Sequence, residues 1–540
     1  MRIRQVPVAV GMPPPIPTRR RLLLAAAAGA AWLALPALQA LANGVADHGQ
    51  RLWLDAAGDP LPQADAALDL LADAASHGLD PQDYDAAGLA RLLQQPWDTQ
   101  QQADAADLAL TRAFERYLGD LHRGRIDPVE LGQRYRPDRH DAFAPDQALR
   151  VALQLGDPSL AVAAAVPQLP QYDRLREALA RYRSLVGHPA WDAALPQLPR
   201  PAQSRTRKLE PGQPWSGLER LAQRLQALGD LAPGTHGQPR QSYEGELLAA
   251  VRRFQQRHGL EQDGVIGWAT LEQLEVSPAA RVRQIELTLE RLRWTPLLKA
   301  RRMIVVNLPE FMLRAYEVTG DGRVSVSLES RVIVGKALDT RTPLFDEDMR
   351  FIEFSPYWNV PPSIARAETV PRLRRDPGYF DRMGFEFVGS DGRVERSLSG
   401  ASLDAVLARR MRIRQRPGPE NALGDIKFVF PNADNIYLHH TPAVSLFGRD
   451  RRDYSHGCIR VEKPVELAEF VLRDMAGWDR ARIEAEMAQG SSHTLRLDQP
   501  VPVLIHYGTT VVKGDQIFFF NDFYGHDRLL DAALRQRRPG

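Results

Sequence analysis

Cys458 is the only cysteine in a chain of 540 residues. No disulfide can close within such a chain, so buried apolar surface, hydrogen bonds and ion pairs have to hold its whole fold. At this length a single hydrophobic core is not expected, and the chain should divide into several domains. The composition suits that: 44% apolar and 25% charged residues is the ordinary balance of a globular protein. The lone cysteine lies in "YLHHTPAVSLFGRDRRDYSHGCIRVE", Tyr437 to Glu462, a stretch that also holds His439, His440 and His456.

The other end of the chain sets the compartment. No acidic residue precedes Asp47. Arg2, Arg4, Arg19, Arg20 and Arg21 precede an apolar run from Leu22 to about Leu38, and Ala40 and Ala42 make a small-x-small site. This is the three-part pattern of an export signal over residues 1–42, with cleavage after Ala42. Leu22–Ala42 is long enough to span a bilayer as a retained anchor, but Pro36 and the small-residue site favour cleavage. "TRRRLL" is similar to a twin-arginine signal. Removing five arginines takes the net charge from +2 to about −3, and a near-neutral protein gives no reason to expect nucleic acid as a partner. Outside the cytoplasm a cysteine that cannot pair within its chain is buried and inert, an intermolecular link, or reactive.

Residues 43–200 read as a helical scaffold. "PQADAALDLLADAASHGLDPQDYDAAGLARLLQQ" sets Leu68, Leu71, Ala75 and Leu79 on one helical face, with Gly78 as a stop and Pro81 as the next start. Leu110, Phe114, Tyr117 and Leu121 repeat the spacing. Prolines at 189, 196, 199, 201, 211 and 214 mark a linker. In "EGELLAAVRRFQQRHGLEQDGVIGWATLEQL" the residues Leu247, Val251 and Phe254 share a face, Gly259 ends the helix, Asp263-Gly264 turns, and a second helix carries Trp268 and Leu271. "FQxxxGL" followed by "DGxxGxxT" resembles the peptidoglycan-binding repeat of many wall enzymes, over residues 215–276. Residues 277–300 read as a linking helix that packs back on the scaffold. From Arg301 strands take over: Val324, Val326 and Leu328 alternate with polar positions, "IKFVF", "NIYLHH" and "VPVLIHY" follow, and "TTVVKGDQIFFF" is a hairpin within the C-terminal segment 509–540. The excursion over residues 361–421, within the domain 301–508, has a helical start and no obvious place in a sheet. It reads as a lid. The expected fold class is multidomain α+β.

A thiol must lose its proton to attack a carbonyl. A nearby imidazole can take that proton or hold it as a tight ion pair. Gly457 removes a side chain just before the sulfur, so that backbone N–H groups there can face an oxyanion. Arg460 can clamp a carboxylate. The same residues also permit a zinc reading, in which His439, His440, His456 and Cys458 are ligands of an exported peptidoglycan hydrolase. Against it, neighbours on a strand point to opposite faces and no His-Glu-x-x-His is present. A non-catalytic wall-binding protein is the third reading.

The upstream histidine, the run "SHGC", the apolar residue and the arginine, at these spacings, resemble the signature of the L,D-transpeptidases, which cross-link peptidoglycan. The helical scaffold, the binding module, the inserted lid and "SPYWNVPPSI" are similar to the large periplasmic branch of that family. The resemblance implies that Cys458 is the nucleophile and His439 the general base, steadied by the main-chain carbonyl of His440, with His456 and Gly457 lining the thiol and oxyanion region. It implies no cofactor and no metal, and a wall-associated periplasmic enzyme whose partners are peptidoglycan stem peptides and other wall-synthesis enzymes, with no membrane span after cleavage. His440 stands where that branch usually has aspartate. The implied reaction is acyl transfer through a Cys458 thioester, with release of D-alanine and formation of a 3→3 cross-link, and a carbapenem is expected to acylate the same sulfur. Tyr437 and Trp358 are expected either to contact substrate or to pack as core aromatics.

Overall fold

The computed structural model describes residues 51–136, 142–200, 205–233, 241–297, 300–320, 323–338 and 340–537. The expected export signal at 1–42 lies outside them. The chain forms two compact units.

The first gathers the described residues up to Ala75 with 80–122 and 142–166. Its long helix, Gln100–Arg123, buries Leu110, Phe114, Tyr117 and Leu121 along one side, the stripe their three- and four-residue spacing dictates. Asp107 turns inward from the same helix and accepts the backbone N–H groups of Leu52, Trp53 and Leu54 at 3.0, 2.7 and 3.2 Å, which satisfies an otherwise costly buried carboxylate. The helix Pro62–Ala72 stops short of Ala75 and Leu79, although their spacing continues its apolar face.

In the second unit the helix Pro170–Arg183 packs on the helix Pro278–Trp294. Tyr172 Oη lies 3.1 Å from Arg293 Nη2 and 3.3 Å from His77 Nδ1, and Arg183 pairs with Glu286 at 2.8 Å. Residues 167–200 therefore group with this unit rather than with the first helices. The helix 278–294 is a buried spine, with Ile285, Leu289 and Leu292 inside beside the Glu290–Arg293 ion pair. The small helical module at 218–275 closes over Leu221, Leu225, Leu247, Val251, Phe254, Ile266 and Leu274. Trp268, expected within that helix pair, is 75% exposed at the helix start.

The strands of this unit are β1 (Arg302–Asn307), β2 (Met312–Val318), β3 (Val324–Gly335), β4 (Phe345–Phe354), β5 (Trp358–Asn359), β6 (Phe385–Gly389), β7 (Val394–Glu395), β8 (Met411–Gln415), β9 (Ile426–Val429), β10 (Leu438–His439), β11 (Asp453–Ser455), β12 (Ile459–Val461), β13 (His493–His506), β14 (Thr510–Lys513) and β15 (Gln516–Phe519). Nine of them form one mixed sheet in the order β11-β3-β12-β10-β9-β4-β13-β1-β2, and β2 also pairs with β3, so the sheet closes on itself. Closure leaves only the short β11, paired to β3 alone, as an edge. A register shift in the β2–β3 pairing leaves Val326 47% exposed, against the simple alternation expected of it. The hairpin β14–β15 seats the helical module: Arg257 Nη1 donates to Ile517 O at 3.0 Å, and the rings of His258 and Phe519 stack. The C-terminal segment ends in a helix, His526–Gln536, beyond the hairpin.

The excursion between β4 and β9 is a folded subdomain. It has its own sheet, β5-β8-β6-β7, and its own core of Val370, Leu373, Phe380, Phe385, Phe387, Leu403 and Ile413. The segment "FEFV", which has no evident strand partner in the sequence, makes up all of β6 but its last residue. It pairs locally with the two-residue β7, but its longer partner β8 lies more than twenty residues downstream, a pairing that local patterning cannot reveal.

Candidate active site

The strands β10 and β12 run parallel, with Leu438 beside Ile459 and His439 beside Arg460. Side chains alternate along a strand. Leu438 and Ile459 are fully buried in the main core, so Tyr437, His439, Cys458 and Arg460 share the opposite face. The register extends across the sheet: Lys427 on β9 lies beside His439, and Glu353 on β4 beside Lys427. His439 and Cys458 are thereby diagonal neighbours, at the separation over which side chains of adjacent strands still meet.

Nδ1 of His439 lies 2.5 Å from the carbonyl oxygen of His440. A carbonyl can only accept, so Nδ1 carries the hydrogen and Nε2 is the basic nitrogen. Burial, with the Arg460 charge beside it, holds this imidazole down to about 3, against the opposing pull of the His440 and Leu423 carbonyls. Cys458 is half-buried. Its sulfur lies 3.7 Å from Asn435 O. Burial pushes the thiol up; the Tyr437 hydrogen bonds and the Lys427 and Arg460 charges pull the other way. A raised thiol next to a depressed imidazole rests as a neutral pair, since each pH unit of the gap is worth about 1.4 kcal/mol. Such a pair is arranged for general-base chemistry, in which Nε2 takes the proton only as the sulfur attacks, rather than for a standing ion pair.

The bend before the sulfur is built from side-chain to main-chain bonds. Ser455 Oγ donates to Cys458 O at 2.6 Å and accepts the Gly457 N–H at 3.2 Å, and Thr342 Oγ1 donates to Gly457 O at 2.7 Å. Gly457 has φ +115°, a conformation open to glycine. Its own N–H is taken by Ser455, so what the glycine supplies is the bend.

The remaining expected residues separate. The imidazole of His456 turns to the insertion, with Nε2 2.7 Å from Glu368 Oε1. The side chain of His440 turns to Asp425, Nδ1 to Oδ2 3.2 Å, while its carbonyl serves His439. Asp425 thus brings a carboxylate beside the position where the sequence carries histidine. Trp358 opens the insertion's sheet and packs half-buried against the insertion's core. Arg460 Nε is buried with no hydrogen-bond partner among the described residues. Sequence reading missed Lys427 and Glu353, which pair at 3.0 Å; Lys427 Nζ stands 4.5 Å over the Tyr437 ring. The available signal was one charge inside the apolar strand "IKFVF". The zinc reading needs His439, His440, His456 and Cys458 to converge. Three of them have different partners instead, and among the described residues no group of three His, Cys, Asp or Glu is placed to hold a metal ion.

Three family models match the chain: YkuD, an L,D-transpeptidase catalytic domain, over residues 301–512; a scaffold domain over 46–179; and a "putative peptidoglycan binding domain" over 216–274. A Haemophilus influenzae protein named "Putative L,D-transpeptidase" is 33% identical over 253 residues, 46% of this chain and 49% of that protein. The chain thus spans about half the length of this curated relative. Among solved structures, the helical cell shape determining protein Pgp2 of Campylobacter jejuni shares 15% identity, over 43% of this chain and 55% of that one, at a TM-score of 0.17. A fused Zn-dependent amidase/peptidase/peptidoglycan-binding domain-containing protein of Clostridium acetobutylicum shares 12%, over 56% of this chain and 100% of that one, also at 0.17. Overlap this low lends neither structure any bearing on the reaction.

Proposed function

We propose that this chain, whose residues 301–512 are an L,D-transpeptidase catalytic domain, forms 3→3 cross-links in peptidoglycan by cysteine acyl transfer. One observation carries the reading: Tyr437, His439, Cys458 and Arg460 share one sheet face, with His439 Nδ1 held by the His440 carbonyl. The match of residues 216–274 to a putative peptidoglycan-binding domain supports the wall as its partner.

Nε2 of His439 takes the Cys458 proton as the sulfur attacks the carbonyl carbon of the third stem residue, on its L-centre side. A C–S bond forms, the C–N bond to D-alanine breaks, and the imidazolium proton leaves with the D-alanine amine. A side-chain amine of a second stem then attacks the thioester and the sulfur departs. Water in place of the amine gives trimming. Lys427 and Arg460 are the cations that oppose negative charge on the sulfur. Arg460, with Nε unpartnered, is suited to a stem carboxylate, because a buried guanidinium without an acceptor is costly until one arrives.

We place the reaction outside the cytoplasm, in the periplasm, on the export pattern of the first 42 residues. No helix among the described residues is long and apolar enough to cross a membrane. The test incubates the purified protein with disaccharide-tetrapeptide and weighs the products. Free D-alanine and a 3→3 dimer are expected. Cys458→Ala should lower both about a thousandfold or more and should abolish the carbapenem adduct in intact-mass spectra. A Cys458→Ala protein that still cross-links rules the reading out; D-alanine without dimer replaces cross-linking by trimming.

A further inference from the structure

Cross-linking brings a cation to a site that already holds two. The attacking amine arrives as an ammonium group, and the charges that act on the sulfur, Lys427 and Arg460, are both positive. Glu353 on the same face is tied to Lys427 at 3.0 Å. A second acid reaches the motif loop from elsewhere. Glu368 Oε1 lies 2.7 Å from Nε2 of His456, two residues from the nucleophile, and the glutamate side chain is 54% exposed. It sits in a single π turn, Ala365–Thr369, just ahead of Pro371, whose missing N–H and bulky ring do not fit a regular preceding turn. Such turns recur at functional positions. The insertion thus spends an irregular backbone segment and a solvent-facing carboxylate on the one histidine of "SHGC".

We propose that Glu368 is the acceptor-amine receptor of this site: its carboxylate binds the ammonium group of the incoming stem and, with His456, takes the proton that group must lose before attack. The proposal rests on the transpeptidase reading above. The balance is simple. The ammonium gives one proton to the Glu368–His456 pair, which returns it to solvent. The free amine's lone pair forms the C–N bond, the C–S bond breaks with its electrons on sulfur, and the remaining excess proton passes from the new amide nitrogen through His439 to the thiolate. Water as acceptor carries no positive charge and gains nothing from Glu368, so this residue should govern the choice between cross-linking and trimming.

The test gives wild type, E368Q, E368D and R374Q a fixed donor tetrapeptide and a rising concentration of acceptor stem, and measures D-alanine, dimer and hydrolysed tripeptide together. Arg374 lies in the same insertion and pairs with Asp404. E368Q should raise the acceptor KM about tenfold or more and cut the dimer-to-tripeptide ratio similarly, with a much smaller fall in D-alanine release. E368D should lie between, and R374Q should keep the wild-type ratio. If E368Q lowers dimer and D-alanine in the same proportion, Glu368 merely seats the insertion and the proposal is overturned. An unchanged ratio overturns it too, and leaves the transpeptidase reading standing. A wild-type protein that releases no D-alanine overturns both.

Discussion

Between the sulfur of Cys458 and the imidazole of His439, the decisive fact is which of them holds the proton at rest. Burial acts on both in the same sense, against charge: it pushes the thiol up and holds the imidazole down to about 3. The resting thiolate fraction is therefore small at neutral pH. The alkylation rate of Cys458 by iodoacetamide, followed by intact mass without substrate, is expected to keep rising from pH 6 past pH 9. A plateau near pH 7 would mean a standing ion pair and would contradict these surroundings. At this scale the sequence singled out Cys458, His439 and Arg460, which the parallel pairing of β10 and β12 brings to one sheet face, because they belong to one stretch of the chain. It did not show where the side chains of His440 and His456 go. Their partners, Asp425 and Glu368, lie 15 and 88 residues away, and nothing within the motif specifies them.

The elements that carry the site are short. β10 has two residues and β12 three, too few to hold a geometry alone, so the bend between β11 and β12 is pinned by Ser455 at the end of β11 and by Thr342 from a distant segment. Gly457→Ala tests that bend. A Cβ at φ +115° is strained, and it would stand 3.3 Å from Ile436 Cδ1. The substitution is expected to cost about 1–3 kcal/mol, seen as a lower unfolding midpoint, and to lower the cross-linking rate by tilting the sulfur. An unchanged midpoint and rate would show that the bend is not glycine-dependent. Strand existence was legible here from apolar runs. The insertion's sheet was not, since β8 pairs with β5 and β6 across long stretches of chain; only the β6–β7 hairpin is local.

The second unit as a whole keeps several histidines neutral inside. His77 is held at about 2 and His439 and His506 at about 3, each chiefly by burial, and burial also takes His258 well below its ordinary value. Above about pH 6.5 both folded and unfolded chains leave these rings neutral. Below it the unfolded chain binds protons that the folded one refuses. Stability should then fall with pH by about 1.4 kcal/mol per unit for each such ring, until the folded values near 3 are reached. Urea unfolding at pH 7, 6, 5 and 4 should show the loss beginning below pH 6.5, and His506→Gln should reduce its slope by about one proton's worth. A flat profile between pH 6.5 and 4 would contradict the burial of these rings. By itself the sequence determined the α+β class, the order of the parts, and which cysteine, imidazole and arginine are the candidates for chemistry, because periodicity and motif are properties of nearby residues. Only the tertiary structure decided that the sheet closes, that residues 167–200 join the second unit, that Lys427 and Glu353 stand beside the site, and that an insertion carboxylate grips His456. Those are pairings between distant segments, selected by which surfaces can be buried together.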